Sequence, residues 1–285
     1  MRVFGDGDQL VFKGITVKHP HRIVYPNLGL TRIEVMSYYD TIADVMIPHM
    51  MGRAITLKRW TEDIAGPMFY QKHFANQPIG INHPHELLHW VALGTLEFHV
   101  PLGFMDRPQQ HDWAVLDLDP PQECLWSVVC HAAHAVAALF DKLKIPFILK
   151  TSGGKGVHFY IPIEPQDHRS VVYWMKSLAT LLANTFPESL TVERVKGQRG
   201  NRIYLDYLQN GSMRTMIGVY SMRATQAAAV SAPIRLDELG FKPNYWTPAR
   251  VASRVAQEGD LFVVKTPRCR LGDVVERYNL LPNLR

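Results

Sequence analysis

The sequence predicts an α/β (α+β) fold in which helices flank a mixed β-sheet. In the second half of the chain, short apolar runs typical of strands alternate with helical patterns. The glycine-rich segment 152–156 joins two such runs directly, as a hairpin does, so a purely parallel sheet is not expected. The chain has 285 residues, of which 47% are hydrophobic and 20% charged, which is sufficient for a folded core.

The first hundred residues predict an amino-terminal α/β module. A strand-like opening at 9–17 precedes Thr31 and Glu34, which have the spacing of a capping box, and apolar residues at helical spacing then predict a helix over about 31–48. Strands are predicted at 53–60 and 68–73. Segment 75–86 is rich in proline, asparagine and histidine and is predicted to be a loop.

The second half predicts a catalytic core with a more regular pattern. Strands are predicted at 113–119, 147–151, 157–161 and 202–207, and helices at about 127–143 and 168–186. From about residue 226 the composition favours loops, with one late strand predicted at 260–264. We expect a single domain over 1–285, divided into modules at 1–100 and 101–285.

Net charge, cysteine pattern and apolar segments limit the classes of protein to which the chain can belong. The formal charge of +5 suits a polyanionic partner without requiring one. The three cysteines form no CxxC pair, so neither a zinc ribbon nor a disulfide framework is expected. Because no signal peptide or membrane-length apolar segment is visible, we expect a cytoplasmic protein with no membrane partner.

Three aspartates form the strongest candidate site. Asp117 and Asp119 are two residues apart at the end of a strand, so both carboxylates lie on one face, and Pro120 should end the strand there. Asp206 lies on the polar face of a later strand. Several carboxylates at strand ends suit two hard divalent cations, Mg²⁺ or Mn²⁺, and hence phosphoryl chemistry. Taken alone, the Asp-x-Asp spacing is equally compatible with two solvent-facing acids.

The glycine-rich segment predicts a phosphate-binding turn. It is not the Walker loop of P-loop ATPases, because Gly156 follows Lys155 and a strand comes next. Glycines such as Gly153 let backbone amides approach an anion, and Ser152, Lys155 and His158 add donors. The alternative is an ordinary hairpin with a surface lysine.

The order and spacing of several motifs resemble the polymerase domain of bacterial ligase D, in the archaeo-eukaryotic primase superfamily. The resemblance covers nearly all of the chain and implies the archaeo-eukaryotic primase fold. The motifs that carry it are Leu-Lys-Arg-Trp (57–60), Phe-Tyr-Gln-Lys-His (69–73), Leu-Glu-Phe-His (96–99), Asp-Leu-Asp-Pro (117–120), Lys-Thr-Ser-Gly-Gly-Lys-Gly-x-His-x-Tyr (150–160), Asp-Tyr-Leu-Gln-Asn (206–210) and Tyr-Ser-x-Arg-Ala (220–224).

This resemblance implies a metal-dependent nucleotidyltransferase that prefers ribonucleotides and fills gaps or extends broken ends. Asp117 and Asp119 would ligate two ions, Mn²⁺ or Mg²⁺, and Asp206 the ion that activates the primer 3′-hydroxyl for attack on the α-phosphate of an NTP or dNTP. The residues that would contact the incoming nucleotide are Ser152, Gly153, Lys155, His158, Arg223, Gln209, His99 and Arg199.

The resemblance also implies DNA contacts in the amino-terminal module. Arg22 and Arg32 would bind the 5′-phosphate of a downstream strand, where arginine offers a bidentate donor fork. Lys58 with Phe69 and Tyr70 would contact template and downstream DNA, the aromatic rings by stacking on bases. Core packing of at least one of the two rings is the alternative.

One departure from the family pattern concerns nucleotide binding, and other functions remain open. Thr225 stands where the family often has a second arginine, so one triphosphate contact is absent. A two-metal nuclease would share the aspartates, and a non-catalytic DNA-end-binding module would share the basic residues. The implied partners are DNA with 5′-phosphorylated gaps or broken ends, Ku, and a DNA ligase on a separate chain or in a missing domain, in a prokaryotic nucleoid.

Overall fold

The computed structural model describes residues 8–280, and its elements are numbered here in chain order. The strands are β1 Gln9–Phe12, β2 Ile15–Lys18, β3 Ile23–Tyr25, β4 Leu30–Thr31, β5 Thr56–Trp60, β6 Met68–Gln71, β7 His73–Phe74, β8 Gln77–Pro78, β9 Thr95–Pro101, β10 Gln110–Asp119, β11 Ile148–Thr151, β12 Val157–Asp167, β13 Leu190–Thr191, β14 Ile203–Asp206, β15 Thr215–Ile217 and β16 Pro233–Ile234. The α-helices are α1 Arg32–Met46, α2 Pro84–Ala92, α3 Trp126–Lys142, α4 His168–Thr185, α5 Pro248–Glu258 and α6 Leu271–Arg277.

The chain forms two compact units. The first comprises the described residues up to Pro101 together with Thr215–Ala232 and Asn244–Leu261. The second comprises Leu102–Arg214, Pro233–Pro243 and the described residues from Phe262 onward. The first division therefore falls beside the expected module boundary at residue 100, and two later segments belong to the first unit.

The second unit is built on a mixed six-stranded sheet. Its strand order is β13-β14-β10-β12-β11-β16, and β13 and β14 form its parallel pair while the other neighbours are antiparallel. The long strands β10 and β12 lie at its centre, and Leu116, Phe159 and Leu149 share one face through direct register. The Phe140 ring of α3 lies 5.7 Å from the Phe159 ring, so α3 covers this apolar face.

The first unit is built on the antiparallel sheet β15-β9-β5-β6. Helix α1 packs against α2 and α5, and its tyrosines tie it to neighbouring backbone. Tyr39 donates its hydroxyl to the Leu96 carbonyl at 2.6 Å, and Tyr38 donates to the Tyr220 carbonyl at 2.7 Å. Both rings are buried, and each hydroxyl therefore requires such an acceptor.

Most of the predicted elements occur where the patterns place them. Helix α1 begins after Thr31, whose hydroxyl accepts from the Glu34 amide while the Glu34 carboxylate accepts from the Thr31 amide, so the predicted capping box is present. Strand β10 ends at Asp119, directly before Pro120. The glycine-rich segment joins the antiparallel strands β11 and β12, so the sheet is mixed as predicted.

Three predicted segments differ from the structure. The expectation of loops from about residue 226 is wrong over α5 and α6, and α5 begins where the Thr247 hydroxyl accepts from the Arg250 amide with Pro248 at the first helical position. The loop predicted at 75–86 extends too far, because α2 begins at Pro84. The Glu86 carboxylate accepts from the Asn82 and His83 amides and so caps this helix. The predicted strand at 260–264 is also wrong. Phe262 packs its ring 5.1 Å from Tyr160 and 5.3 Å from Trp113, so burial of an aromatic side chain accounts for the apolar pattern.

The capping box should contribute measurably to stability. Thr31→Ala removes the acceptor for the Glu34 amide, and we expect a loss of about 1 kcal/mol in the free energy of unfolding in urea. Thr41→Ala is the matched control, because the exposed Thr41 hydroxyl only donates to the Ser37 carbonyl within α1. Its expected change is within about 0.5 kcal/mol. Equal losses for the two variants would contradict the capping role.

Candidate active site

The three aspartates lie on one face of the second unit's sheet. Asp117 and Asp119 are the last acidic residues of β10, two positions apart. Asp206 on β14 is the direct register partner of Asp117, and directly opposed residues in a sheet project to the same side. Like charges placed directly opposite each other destabilise a sheet, so this arrangement costs stability and indicates a functional use.

Each carboxylate has its own compensating donors. Asp206 accepts from the Leu208 amide at 3.0 Å and from the Gln209 side-chain amide at 2.8 Å. Asp119 lies 3.3 Å from an Arg199 guanidinium nitrogen, and Arg199 stacks 3.8 Å from the centre of the Tyr204 ring. These contacts bring the predicted nucleotide residues Gln209 and Arg199 to the aspartates.

A row of side chains continues from the aspartates across the sheet. His158 is the register partner of Asp117, and Lys150 is the register partner of His158. Nζ of the fully buried Lys150 lies 2.9 Å from His158 Nδ1, and His158 Nε2 lies 3.5 Å from an Asp117 oxygen. With Nδ1 turned to Lys150, the other ring nitrogen, Nε2, faces Asp117.

The glycine-rich turn is held closed by its own serine. The Ser152 hydroxyl oxygen accepts from the amides of Gly154 and Gly156, each at 3.1 Å, while its hydrogen remains free to donate. Gly153 has a φ of 68°, a conformation that favours glycine. Lys155 is exposed and donates to the Gln122 carbonyl at 3.0 Å, just beyond the end of β10.

Asn210 supports the candidate site, although the sequence patterns predict no role for it. Its side-chain amide donates to the Val115 carbonyl and accepts from the Val115 amide, both at 2.7 Å. The β10–β14 ladder covers positions 117–119 of β10, so Asn210 continues its hydrogen bonding beyond the ladder. The available signal was the Asn at the end of the Asp-Tyr-Leu-Gln-Asn motif, although such a motif does not specify a side-chain-to-strand contact.

The donor set of the aspartates fits hard divalent cations, which prefer carboxylate oxygen. Their side chains point to separate partners, and across residues 8–280 no group of three or more His, Cys, Asp or Glu side chains is gathered closely enough to hold a metal ion. The fit to a metal therefore rests on donor chemistry and on the shared face.

Residues 8–280 contain no helix that is both long and apolar enough to cross a membrane.

In the first unit, Glu97 gathers three of the predicted site residues. It is 3% exposed on β9, and its carboxylate lies 3.3 Å from Lys58 Nζ, 2.8 Å from His99 Nε2 and 3.5 Å from Arg223 Nε. Burial raises the pKa of Glu97, but the hydrogen bond from His99 and the charges of Arg223, His99 and Lys58 together lower it to about 2. Glu97 is therefore a carboxylate at neutral pH.

Arg22 and Arg32 also come together in the first unit. Both guanidinium groups donate to the Thr61 carbonyl, at 3.2 Å and 2.6 Å, and Arg32 additionally donates to the Lys18 carbonyl at 3.0 Å. Burial and the Arg22 charge lower the pKa of Arg32. Neither arginine forms an ion pair with a carboxylate in the described part of the chain, so the pair is an uncompensated positive centre.

Phe69 and Tyr70 are surface residues, with exposed fractions of 50% and 63%, so the core-packing alternative is wrong for both. Adjacent residues on a strand project to opposite faces, and the two rings therefore do not share one surface. Tyr70 is the register partner of Lys58, whose ammonium lies 5.4 Å from its ring centre.

The chain is similar to known proteins in both sequence and structure. Residues 31–262 match the family model for the LigD primase-polymerase domain. The chain is 30% identical to the multifunctional non-homologous end joining protein LigD of Mycolicibacterium smegmatis, over 94% of this chain and 38% of that protein. It is 29% identical to the bifunctional non-homologous end joining protein LigD of Bacillus subtilis, over 85% of this chain and 42% of that protein.

The chain thus spans well under half of the length of these curated relatives. A solved structure, the polymerase domain from Mycobacterium tuberculosis Ligase D in complex with DNA, superposes with a TM-score of 0.78 at 27% identity. The superposition covers 87% of this chain and 96% of that domain. It supports the mixed α/β fold predicted from the sequence.

The glycine-rich turn should tolerate a side chain at one glycine and not at another. A Cβ at Gly156 would overlap the carbonyl oxygen of Leu118, which lies between the two aspartates of β10. We expect Gly156→Ala to lower the free energy of unfolding by about 1–3 kcal/mol, because backbone must shift. Gly154→Ala is the control, since its Cβ would lie 3.4 Å from the Ser152 hydroxyl oxygen. Equal denaturation midpoints for the two variants would disprove this packing constraint.

Proposed function

Because the chain belongs to the LigD primase-polymerase domain family, a family of DNA-directed nucleotidyltransferases, we propose that it adds nucleotides to DNA 3′ ends during non-homologous end joining. The proposed substrates are 5′-phosphorylated gaps and double-strand breaks, with an NTP or dNTP as the second substrate. The observation that carries this proposal is the placement of Asp117, Asp119 and Asp206 on one face at the end of β10.

The aspartates supply the ligands that phosphoryl transfer needs. Asp117 and Asp119 would hold two divalent cations, Mg²⁺ or Mn²⁺, and Asp206 one of them. When bound, these ions supply charge neutralisation at the α-phosphate and lower the pKa of the primer 3′-hydroxyl. The side chains can turn to such ions because Asp119 is exposed and Asp117 and Asp206 are partly exposed.

Around the aspartates, the second unit offers donors suited to a triphosphate. His158 turns Nε2 toward Asp117, Ser152 retains a free hydroxyl hydrogen, and Lys155 adds an exposed charge. Gly153 belongs to the turn that presents these groups. Gln209 and Arg199 already contact the metal-binding aspartates, and we propose that both also contact the nucleotide.

We further propose that His99 and Arg223 of the first unit contact the incoming nucleotide. Because Glu97 Oε2 is a carboxylate oxygen, His99 must donate from Nε2, and Nδ1 is then an acceptor in the neutral ring. Burial lowers the pKa of His99, which favours this neutral form. An acceptor nitrogen suits a ribose 2′-hydroxyl, consistent with a preference for ribonucleotides.

The DNA contacts follow from the first unit's surface. Arg22 and Arg32 would bind the downstream 5′-phosphate, since two guanidinium groups that pair with no carboxylate among residues 8–280 attract an anion. Lys58, Tyr70 and Phe69 would contact template and downstream DNA through charge and stacking. Ku and a DNA ligase, at the prokaryotic nucleoid in the cytoplasm, complete the proposed setting.

Primer extension tests the proposed activity and separates it from a nuclease. With Mn²⁺ and a 5′-phosphorylated gap, we expect the protein to lengthen the primer, with NTPs used better than dNTPs. Asp117→Asn and Asp119→Asn should each reduce extension by at least about 10³-fold while DNA binding persists, because the ligands that neutralise the transferred phosphate are lost.

Asp106→Asn, at an exposed acid outside the sheet, is the control for the loss of one negative charge. Shortening of the primer by the unmodified protein would favour the nuclease. Binding of DNA ends with neither lengthening nor shortening would favour the non-catalytic module. Extension by the Asp117 variant at the original rate would remove that carboxylate from the mechanism.

The 5′-phosphate site is tested by binding. Arg22→Ala should weaken binding to a 5′-phosphorylated gap about tenfold, because one charge-assisted contact, worth about 1.5 kcal/mol, is lost. Binding to the unphosphorylated gap should change little. Lys18→Ala is the control, since it removes an exposed charge nearby but keeps the backbone carbonyl that Arg32 uses. The assignment fails if the unmodified protein binds both gaps with equal affinity.

A further inference from the structure

Glu97 lies at the centre of a charge cluster in which one carboxylate serves several cations. Lys58 and Arg223 carry two permanent positive charges against the single negative charge of Glu97. Its buried carboxylate also accepts from the Ala224 amide at 3.0 Å, so it fixes both the Arg223 side chain and the backbone that follows. The cluster therefore remains positively charged after pairing, as an anion-binding surface requires.

The contacts of Arg223 leave its guanidinium group accessible to a further anion. Within the described part of the chain, Glu97 is the only ion-pair or hydrogen-bond partner of the Arg223 side chain. That contact uses Nε, which leaves the terminal nitrogens for another anion. The Arg223 side chain is 28% exposed, whereas that of Glu97 is only 4% exposed, so an incoming ligand can reach the arginine and not the acid.

The same carboxylate connects two kinds of predicted contact. Lys58 is the direct register partner of both Glu97 on one side and Tyr70 on the other, so these three side chains lie in one row across β9, β5 and β6. His99 and Arg223, proposed for the nucleotide, and Lys58 and Tyr70, proposed for DNA, thus meet at Glu97.

We infer that Glu97 is a positioning residue that fixes the hydrogen-bonding state of His99 and couples nucleotide binding to template binding. This inference rests on the proposed function, because it uses the ligands assigned there. Moving Lys58 toward a DNA phosphate changes the charge that faces Glu97, and hence the hold of Glu97 on Arg223 and His99. DNA and nucleotide should accordingly raise each other's affinity by the same factor.

Glu97→Gln keeps the size of the side chain and removes its charge. The experiment measures the dissociation constant of ATP with and without a gapped DNA whose primer ends in a 2′,3′-dideoxynucleotide, so that no turnover occurs. We expect the DNA to tighten ATP binding at least about fivefold in the unmodified protein and hardly at all in Glu97→Gln. With a reactive primer, the preference for NTP over dNTP in kcat/KM should also fall, which a merely structural role would not produce.

The matched control is Glu164→Gln, which makes the same substitution in the more exposed ion pair with Arg270 and should leave coupling and selectivity unchanged. A folded Glu97→Gln protein with unaltered coupling would overturn the inference, as would absence of coupling in the unmodified protein. If the unmodified protein extends no primer, the proposed function fails, whereas extension with intact coupling in Glu97→Gln rejects the role of Glu97 alone.

Loss of three cation contacts can prevent Glu97→Gln from folding, which circular dichroism and thermal unfolding reveal. Lys58→Gln and Arg223→Gln, singly and together, then replace it, because each keeps the buried carboxylate partly paired. Under the inference, their effects on ATP binding in the presence of DNA are non-additive, since both act through Glu97. Additive effects would overturn it.

Discussion

Strand β10 is the element on which the candidate site depends. Its last residues carry Asp117 and Asp119, and hydrogen bonds on both sides fix their positions. On one side β12 pairs along most of the strand, and on the other β14 pairs only at 117–119. Asn210 extends this second side by bonding both backbone groups of Val115. A side chain thereby replaces a missing strand where a buried amide and carbonyl would otherwise be unpaired.

The two units handle negative charge in opposite ways. In the second unit, three carboxylates share one face and each has a separate partner. These pairs are His158 with Asp117, Arg199 with Asp119 and Gln209 with Asp206. In the first unit, one carboxylate is shared by three basic side chains and is almost completely buried. The three aspartates of the second unit favour binding of cations. In the first unit, Glu97 fixes the basic side chains and leaves them with excess positive charge, which favours binding of anions.

The sequence predicts what depends on local pattern and misses what depends on long-range contacts. Helix α1, its capping box and the end of β10 at Pro120 follow from residue spacing. The row from Asp206 through Asp117 and His158 to Lys150 depends on strand register. Asp117 and Asp206, which are register partners, are 89 residues apart in the chain. The role of Glu97 likewise depends on Arg223, which no spacing rule connects to it.

The departure at Thr225 can be weighed from the same contacts. A second arginine there would add charge, but the loop does not need it for shape. Glu97 bonds the Ala224 amide and pairs with Arg223, while the Ala228 amide donates to the Thr225 carbonyl at 2.9 Å and closes the turn. Because these bonds use backbone groups at 224 and 225, they are independent of the side chain at 225. The substitution therefore removes a charge without removing the support of Arg223, so its effect should be confined to the strength of anion binding.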